Sequence, residues 1–133
     1  MILGIECEPS NCIDSARKAE QLLEYFQHDS HLGIIMDAAN LFRKGQAKRE
    51  NVRDVISDAF GRLGKSICLA HGKDICEGED IHYAHAGNGM VDFPFFMDQL
   101  RKADYEGCMV LHGIKAETDF PGAVSFMEQL TEQ

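Results

Sequence analysis

The sequence has no run of basic residues, no long apolar stretch and no closely spaced cysteine pair, and each absence excludes a class of function. Its 13 Lys and Arg stand against 22 Asp and Glu, a formal net charge of −9. That balance offers no cationic footprint for a phosphate backbone, so nucleic acid is not the expected partner. The longest uncharged apolar stretches, such as Gly33 to Met36, fall far short of the roughly 20 residues that cross a bilayer. No membrane span is expected. Met1-Ile2-Leu3-Gly4-Ile5-Glu6 has no basic region ahead of its apolar residues and soon meets a carboxylate, a start that predicts a cytoplasmic protein without a secretory signal. Cys7, Cys12, Cys68, Cys76 and Cys108 lack the spacing of a zinc knuckle or a redox pair, and free thiols are expected. Cys7 and Cys12, on either side of Pro9, receive no role.

What is present is enough for one core. The 133 residues are 44% hydrophobic and 26% charged, too few for two ordinary domains, so residues 1–133 are read as one domain. Short apolar runs at Ile2–Ile5, Leu32–Met36, Ile67–Ala70 and Cys108–Leu111 have the length and the Ile, Leu and Val content of buried strands. Each precedes a polar turn and a segment of helical period. Ala19, Leu22, Leu23 and Phe26 form one apolar stripe, with Arg17, Lys18, Glu20 and Glu24 off it. Val52, Val55, Ile56, Ala59, Phe60 and Leu63 form a second, and Gly64 just beyond it is expected as a left-handed cap. Asp92 is a natural N-cap with Pro94 in the first turn, ahead of Phe93, Phe96, Met97 and Leu100. Ala123, Phe126, Met127 and Leu130 follow Pro121. Four βα units in succession require parallel pairing through helical crossovers, which makes the fold class α/β with a parallel (βα)4 sheet.

Each apolar run stops at a residue able to bind a metal or move a proton: Glu6, Asp37, His71 and His112, at intervals of 31, 34 and 41 residues. Parallel α/β folds gather their ligands at the carboxyl ends of the strands, so these four side chains are expected to converge. Carboxylates and imidazoles together suit one divalent ion, among Mn, Zn, Co, Fe or Mg. Taken singly, each has a bland alternative as a helix cap or a satisfied structural histidine; it is the shared topological position that carries the reading.

Glu6 to Asn11, Asp37-Ala38-Ala39-Asn40-Leu41, His71-Gly72-Lys73-Asp74 and Gly87-Asn88-Gly89-Met90-Val91-Asp92-Phe93 resemble the successive signatures of the sugar phosphate isomerase/epimerase proteins. These are xylose isomerase-like TIM barrels, distantly related to AP endonucleases of the endonuclease IV type. The resemblance runs the length of the chain and matches the second half of that barrel, strands five to eight. It implies a metal-dependent proton transfer next to a sugar carbonyl, through an enediol, with a Glu, an Asp, a His and a second Glu as ligands. By position Glu6 is then the first ligand and an acid/base, Asp37 the second ligand and His71 the third. Glu8, two residues on, competes with Glu6. His112 stands where the family places its second carboxylate, and a neutral metal-bound imidazole is no second base.

Around these residues Asn40 is expected either to contact a substrate hydroxyl or to bond within its loop. Lys73 is expected to hold a developing oxyanion or a phosphate, or else to form a surface ion pair, and Asp74 to orient His71. His82 and His85 fall in the loop before Gly87, where the related endonucleases bind further metals; His85 is kept as a substrate contact. Gly87 and Gly89 are read as backbone pivots.

A (β/α)8 barrel needs about 200 residues or more, so the chain is expected to be half of one. Its open face and unpaired edges call for a second copy, making a homo-oligomer, or for an N-terminal half-barrel on another polypeptide or upstream of an abrupt Met1. Two function classes follow: a metal-dependent isomerase or epimerase acting on a small sugar or sugar phosphate, and a catalytically inactive or partner-dependent half-barrel. A hydrolase-like member of the same superfamily is the further alternative.

Overall fold

A computed structural model describes residues 1–131; the expected end of the domain at residue 133 lies outside them. In chain order the elements are β1 (Leu3–Glu6), α1 (Ala16–Tyr25), β2 (Leu32–Asp37), α2 (Val52–Leu63), β3 (Ile67–Ile75), β4 (Tyr83–His85), α3 (Phe93–Lys102), β5 (Met109–Leu111) and α4 (Phe120–Thr131). Strands β1, β2, β3 and β5 lie side by side in that order and pair in parallel. This is the expected (βα)4 order, the succession of one half of a TIM barrel.

The helices cover one face of the sheet. Ile34, Met36 and Ala70 have essentially no exposed surface, and they alternate along their strands with the residues of the opposite face. Against them pack Ala19 and Leu23 of α1, Ile56, Ala59 and Leu63 of α2, and Phe93, Phe96 and Leu100 of α3. Phe96 meets Phe60 and Phe93 edge to face, with ring centroids 5.7 and 6.3 Å apart, an arrangement favoured by the ring quadrupoles. The caps form as the sequence predicts for α3: Asp92 accepts the Phe95 N–H at 3.1 Å, and Pro94 occupies the first turn. Helix α4 is the thinnest contributor, with Ala123 its only fully buried residue.

Three local expectations are corrected. Gly64 is not left-handed: it sits at φ −52° and leads into a 3-10 turn, Gly64–Ser66, directly before β3. With the strand starting so soon, the chain has no room for a reversal there. After the other helices left-handed residues do occur, Gln27 and His28 following α1 and Asp104 following α3. Strand β3 continues well past Ala70 to Ile75, because β4 returns antiparallel beside its second half, pairing Lys73 with His85 and Ile75 with Tyr83. His85 therefore lies on a strand, not in a loop. Finally β1 ends at Glu6, and the chain turns at once, with the Asn11 N–H donating to the Glu8 carbonyl; Glu8 does not share a strand face with Glu6.

Candidate metal centre

The register alone gathers the four residues, although His71, expected at a strand end, lies in the middle of β3. Glu6 pairs with Ile35, two short of Asp37; Asp37 pairs with His71; and His71 pairs with Val110, two short of His112. Because side chains alternate with period two, all four project from the face opposite the helices. One ligand atom from each of Glu6, Asp37, His71 and His112 lies within 4.8 Å of the others.

Asp37 divides its two oxygens between two tasks. Oδ1 accepts the Ala39 N–H at 3.0 Å and starts the 3-10 turn Ala38–Leu41. Oδ2 faces Lys73 Nζ at 3.3 Å, His71 Nδ1 at 3.4 Å and His112 Nδ1 at 3.9 Å, yet makes no hydrogen bond, and neither does His71 Nδ1. Two buried polar atoms side by side, in long ion-pair contact but without a hydrogen bond, are under-served unless something else binds them. A divalent cation would do so, with the oxygen and nitrogen donors such ions take, and the residues present fit one. Asp37, 3.4 Å from the ring, and Glu6 pull the His71 pKa above the ordinary imidazole range, against burial and the Lys73 charge. Glu6 Oε1 lies 3.2 Å from His71 Nδ1. His112 is the outlying member: half of its side chain is exposed, and its ring stacks edge-on against His71 at 5.1 Å.

Behind the four lies a buried polar layer. Lys73 Nζ donates to Asn40 Oδ1 at 2.6 Å, and Asn40 Nδ2 donates to Glu6 Oε1 at 3.1 Å. The Lys73 side chain is only 4% exposed, so its ammonium is not the free cation of a surface ion pair. Tyr83 closes the layer, its ring 4.1 Å from Lys73 Nζ, and burial, with Glu8, Asp37 and Glu6 adding to it, pushes its hydroxyl pKa up to about 12.

Asp74 is placed elsewhere. Its carboxylate accepts the backbone N–H groups of Ile75 at 2.8 Å, Val91 at 2.9 Å and Gly87 at 3.2 Å, so it shapes the segment after β4 and does not orient His71. Gly87 sits at φ +86° and a Cβ on Gly89 would collide with the Asp74 carboxylate, as expected of backbone pivots. His85 turns its Nδ1 to the Ala86 carbonyl at 3.1 Å, and neither it nor His82 nor Glu8 joins the four-atom group. Cys7 is a buried free thiol whose pKa burial, with Glu6 and Asp14, pushes up to about 11, an inert state. Sequence reasoning missed Tyr83. The signal was the polar-apolar alternation of Tyr83, Ala84 and His85, too short to read as a strand.

Parallel strand order and a ligand cluster at the strand ends define a xylose isomerase-like half of a TIM barrel. The family described as Xylose isomerase-like TIM barrel matches residues 1–130, and the chain belongs to it. Its structure is similar to that of a xylose isomerase domain protein from Planctomyces limnophilus, with a TM-score of 0.70 at 19% identity. At that identity the likeness is one of fold. The match covers 97% of this chain and 44% of that one, so the chain spans less than half the length of this relative. No curated protein matches it. Among the described residues no helix is long and apolar enough to cross a membrane.

Proposed function

We propose that the chain carries the metal-binding half of a divalent-metal-dependent isomerase or epimerase acting on a small sugar or sugar phosphate. The observation that supports this is the pair of buried atoms without a hydrogen bond, Asp37 Oδ2 and His71 Nδ1, inside a four-residue set of side chains able to ligate a metal. When bound, the ion polarises a substrate carbonyl as a Lewis acid. The chain's own residues supply the rest. Glu6, a quarter exposed and so reachable from the open face, takes a proton from the carbon next to the carbonyl and delivers it to the former carbonyl carbon of the enediol, while the hydroxyl proton of the first carbon passes to the carbonyl oxygen. His112 replaces the second carboxylate, so Glu6 either works alone, moving the proton between neighbouring carbons on one face as an isomerase, or is joined by a base on the other half of a barrel, which epimerisation requires.

Deuterium incorporation from solvent into a panel of ketoses and their phosphates is the test. Exchange that depends on Mn, Zn, Co or Mg and disappears in Glu6→Gln is expected; metal-independent exchange, or full exchange in that variant, overturns the assignment. Half-barrel geometry favours a second reading, in which the chain is inactive until a second copy or an N-terminal half covers it. Ile2 and Val110, at the face that carries the four ligands, are 59% and 43% exposed, more than a finished barrel interior leaves open. Exchange that appears only once such a partner is added is the expected outcome on that reading.

A further inference from the structure

The polar layer behind the ligands has a direction built into it. An ammonium only donates, so Lys73 forces the Asn40 amide to turn its oxygen towards Nζ, and the NH2 group is left facing Glu6. An ionised carboxylate only accepts, and Glu6 Oε1 takes that hydrogen at 3.1 Å while lying 3.2 Å from His71 Nδ1. The oxygen held by Asn40 is thus the one turned towards the other ligands. Lys73 also reaches Asp37 Oδ2 directly, at 3.3 Å. One cation on β3 therefore touches one carboxylate of the set and reaches the other through an amide that sits just after β2, while Glu6 itself ends β1. Lys73 is 3% exposed and Asn40 1%, so neither side chain is available as a solvent-facing contact, and the Tyr83 ring restrains the ammonium from its other side.

We infer that Lys73 and Asn40 are positioning residues of the metal centre: Lys73 sets the orientation of the Asn40 amide, and the amide holds the Glu6 carboxylate turned towards Asp37 and His71. This rests on the metal-dependent reading above and extends it, because it assigns Lys73 to the ligands and not to a substrate phosphate or oxyanion. Groups that orient metal ligands in this way typically contribute 10- to 100-fold in metal affinity.

Three variants separate positioning from folding. Asn40→Asp keeps an acceptor for Lys73 and removes the donor to Glu6; Asn40→Ala removes both; Lys73→Met removes the cation. Affinity for Mn and for Zn is measured by competition with a chelating dye, with unfolding in EDTA followed in parallel. Asn40→Asp and Asn40→Ala are expected to bind about 10- to 100-fold more weakly than wild type. In a Glu6→Ala background Asn40→Ala should cost nothing further, the coupling expected when one residue acts through another. Equal losses in both backgrounds, or none in either, overturn the inference. A flat metal isotherm for the unsubstituted protein instead sinks the functional reading. The side-chain amide resonances of Asn40 in the metal-free protein then decide the inference: a large shift in Lys73→Met and in Glu6→Ala supports it, and unchanged resonances overturn it.

Discussion

The middle of the sheet and its margins are built to different standards. On the central strands β2 and β3, Asp37 has a wholly buried side chain and His71 keeps 12% of its side chain exposed, whereas Glu6 on β1 and His112 after β5 keep 25% and 52%. A central strand is paired on both sides and covered by helices from neighbouring units, while β1 and β5 each keep a free edge. The ligand set is therefore rigid at its centre and open at its ends. On the proposed function, catalysis would demand fixed ligands and substrate would demand access, and the two demands would be met by different strands.

The sharpest break of this contrast is Asp37→Ala. It removes the central ligand and leaves the buried Lys73 ammonium without its carboxylate, a change that costs about 3–5 kcal/mol when a buried pair loses one partner. Urea unfolding should show that loss, and metal affinity should fall by at least the ~100-fold upper bound for an orienting group. Asp74→Ala comes next. Three backbone N–H groups, one at the end of β3 and two after β4, lose their acceptor, at about 1–3 kcal/mol in total for a network that water partly re-serves. Metal affinity should fall far less, because Asp74 touches none of the four ligands; a comparable loss would show that the 87–91 segment supports the centre.

At the margin His112→Ala is expected to weaken metal binding by about 10-fold or less, since an exposed ligand is the one water most readily replaces. His112→Glu sharpens the point. It restores a carboxylate at the fourth position and should raise solvent exchange at the substrate carbon if a second base is what the centre lacks. An unchanged exchange rate would show that a carboxylate at this position is not what the centre lacks.

Protons divide the two regions as well. The His71 pKa is raised in the folded protein by Asp37 and Glu6, so in the metal-free chain its contribution to stability is fully present below the unfolded imidazole value of about 6.5. That contribution disappears as pH rises through the raised folded value. Metal binding runs the other way, because protons compete for the ring nitrogen. Urea midpoints at about pH 6 and about pH 8 should thus show His71→Asn destabilising the metal-free protein more at the lower pH. Metal should stabilise the unsubstituted protein more at the higher one. The smallest expected effect is Val110→Glu, at the open face: within about 0.5 kcal/mol on folding, but a marked loss of any self-association seen by sedimentation, which would identify that face as the one a second half covers.

Helical stripes, the Asp92 cap and the four candidate ligands were legible because they are local, or because a barrel repeats one unit at nearly constant length. Tyr83 and β4 were not legible: a three-residue strand carries almost no periodicity, and it forms because Lys73 to Ile75 of β3 offer it an edge. The Gly64 expectation failed for a related reason. A left-handed glycine cap is favoured where the chain turns away from a helix, and the early start of β3 removed that turn.

The sequence by itself determined the (βα)4 order and the presence of Glu6, Asp37, His71 and His112 at the ends of successive apolar runs, since period and spacing are properties of the chain. Only the tertiary structure decided what surrounds them. Which way the Asn40 amide faces depends on side chains 33 and 34 residues apart meeting within hydrogen-bond distance, and which oxygen of Asp37 lacks a hydrogen bond and whether Lys73 meets water or Tyr83 depend on how β2, β3 and β4 pack. Hydrogen bonds are directional and short-ranged, so their partners are chosen by strand register and packing, which no single segment encodes.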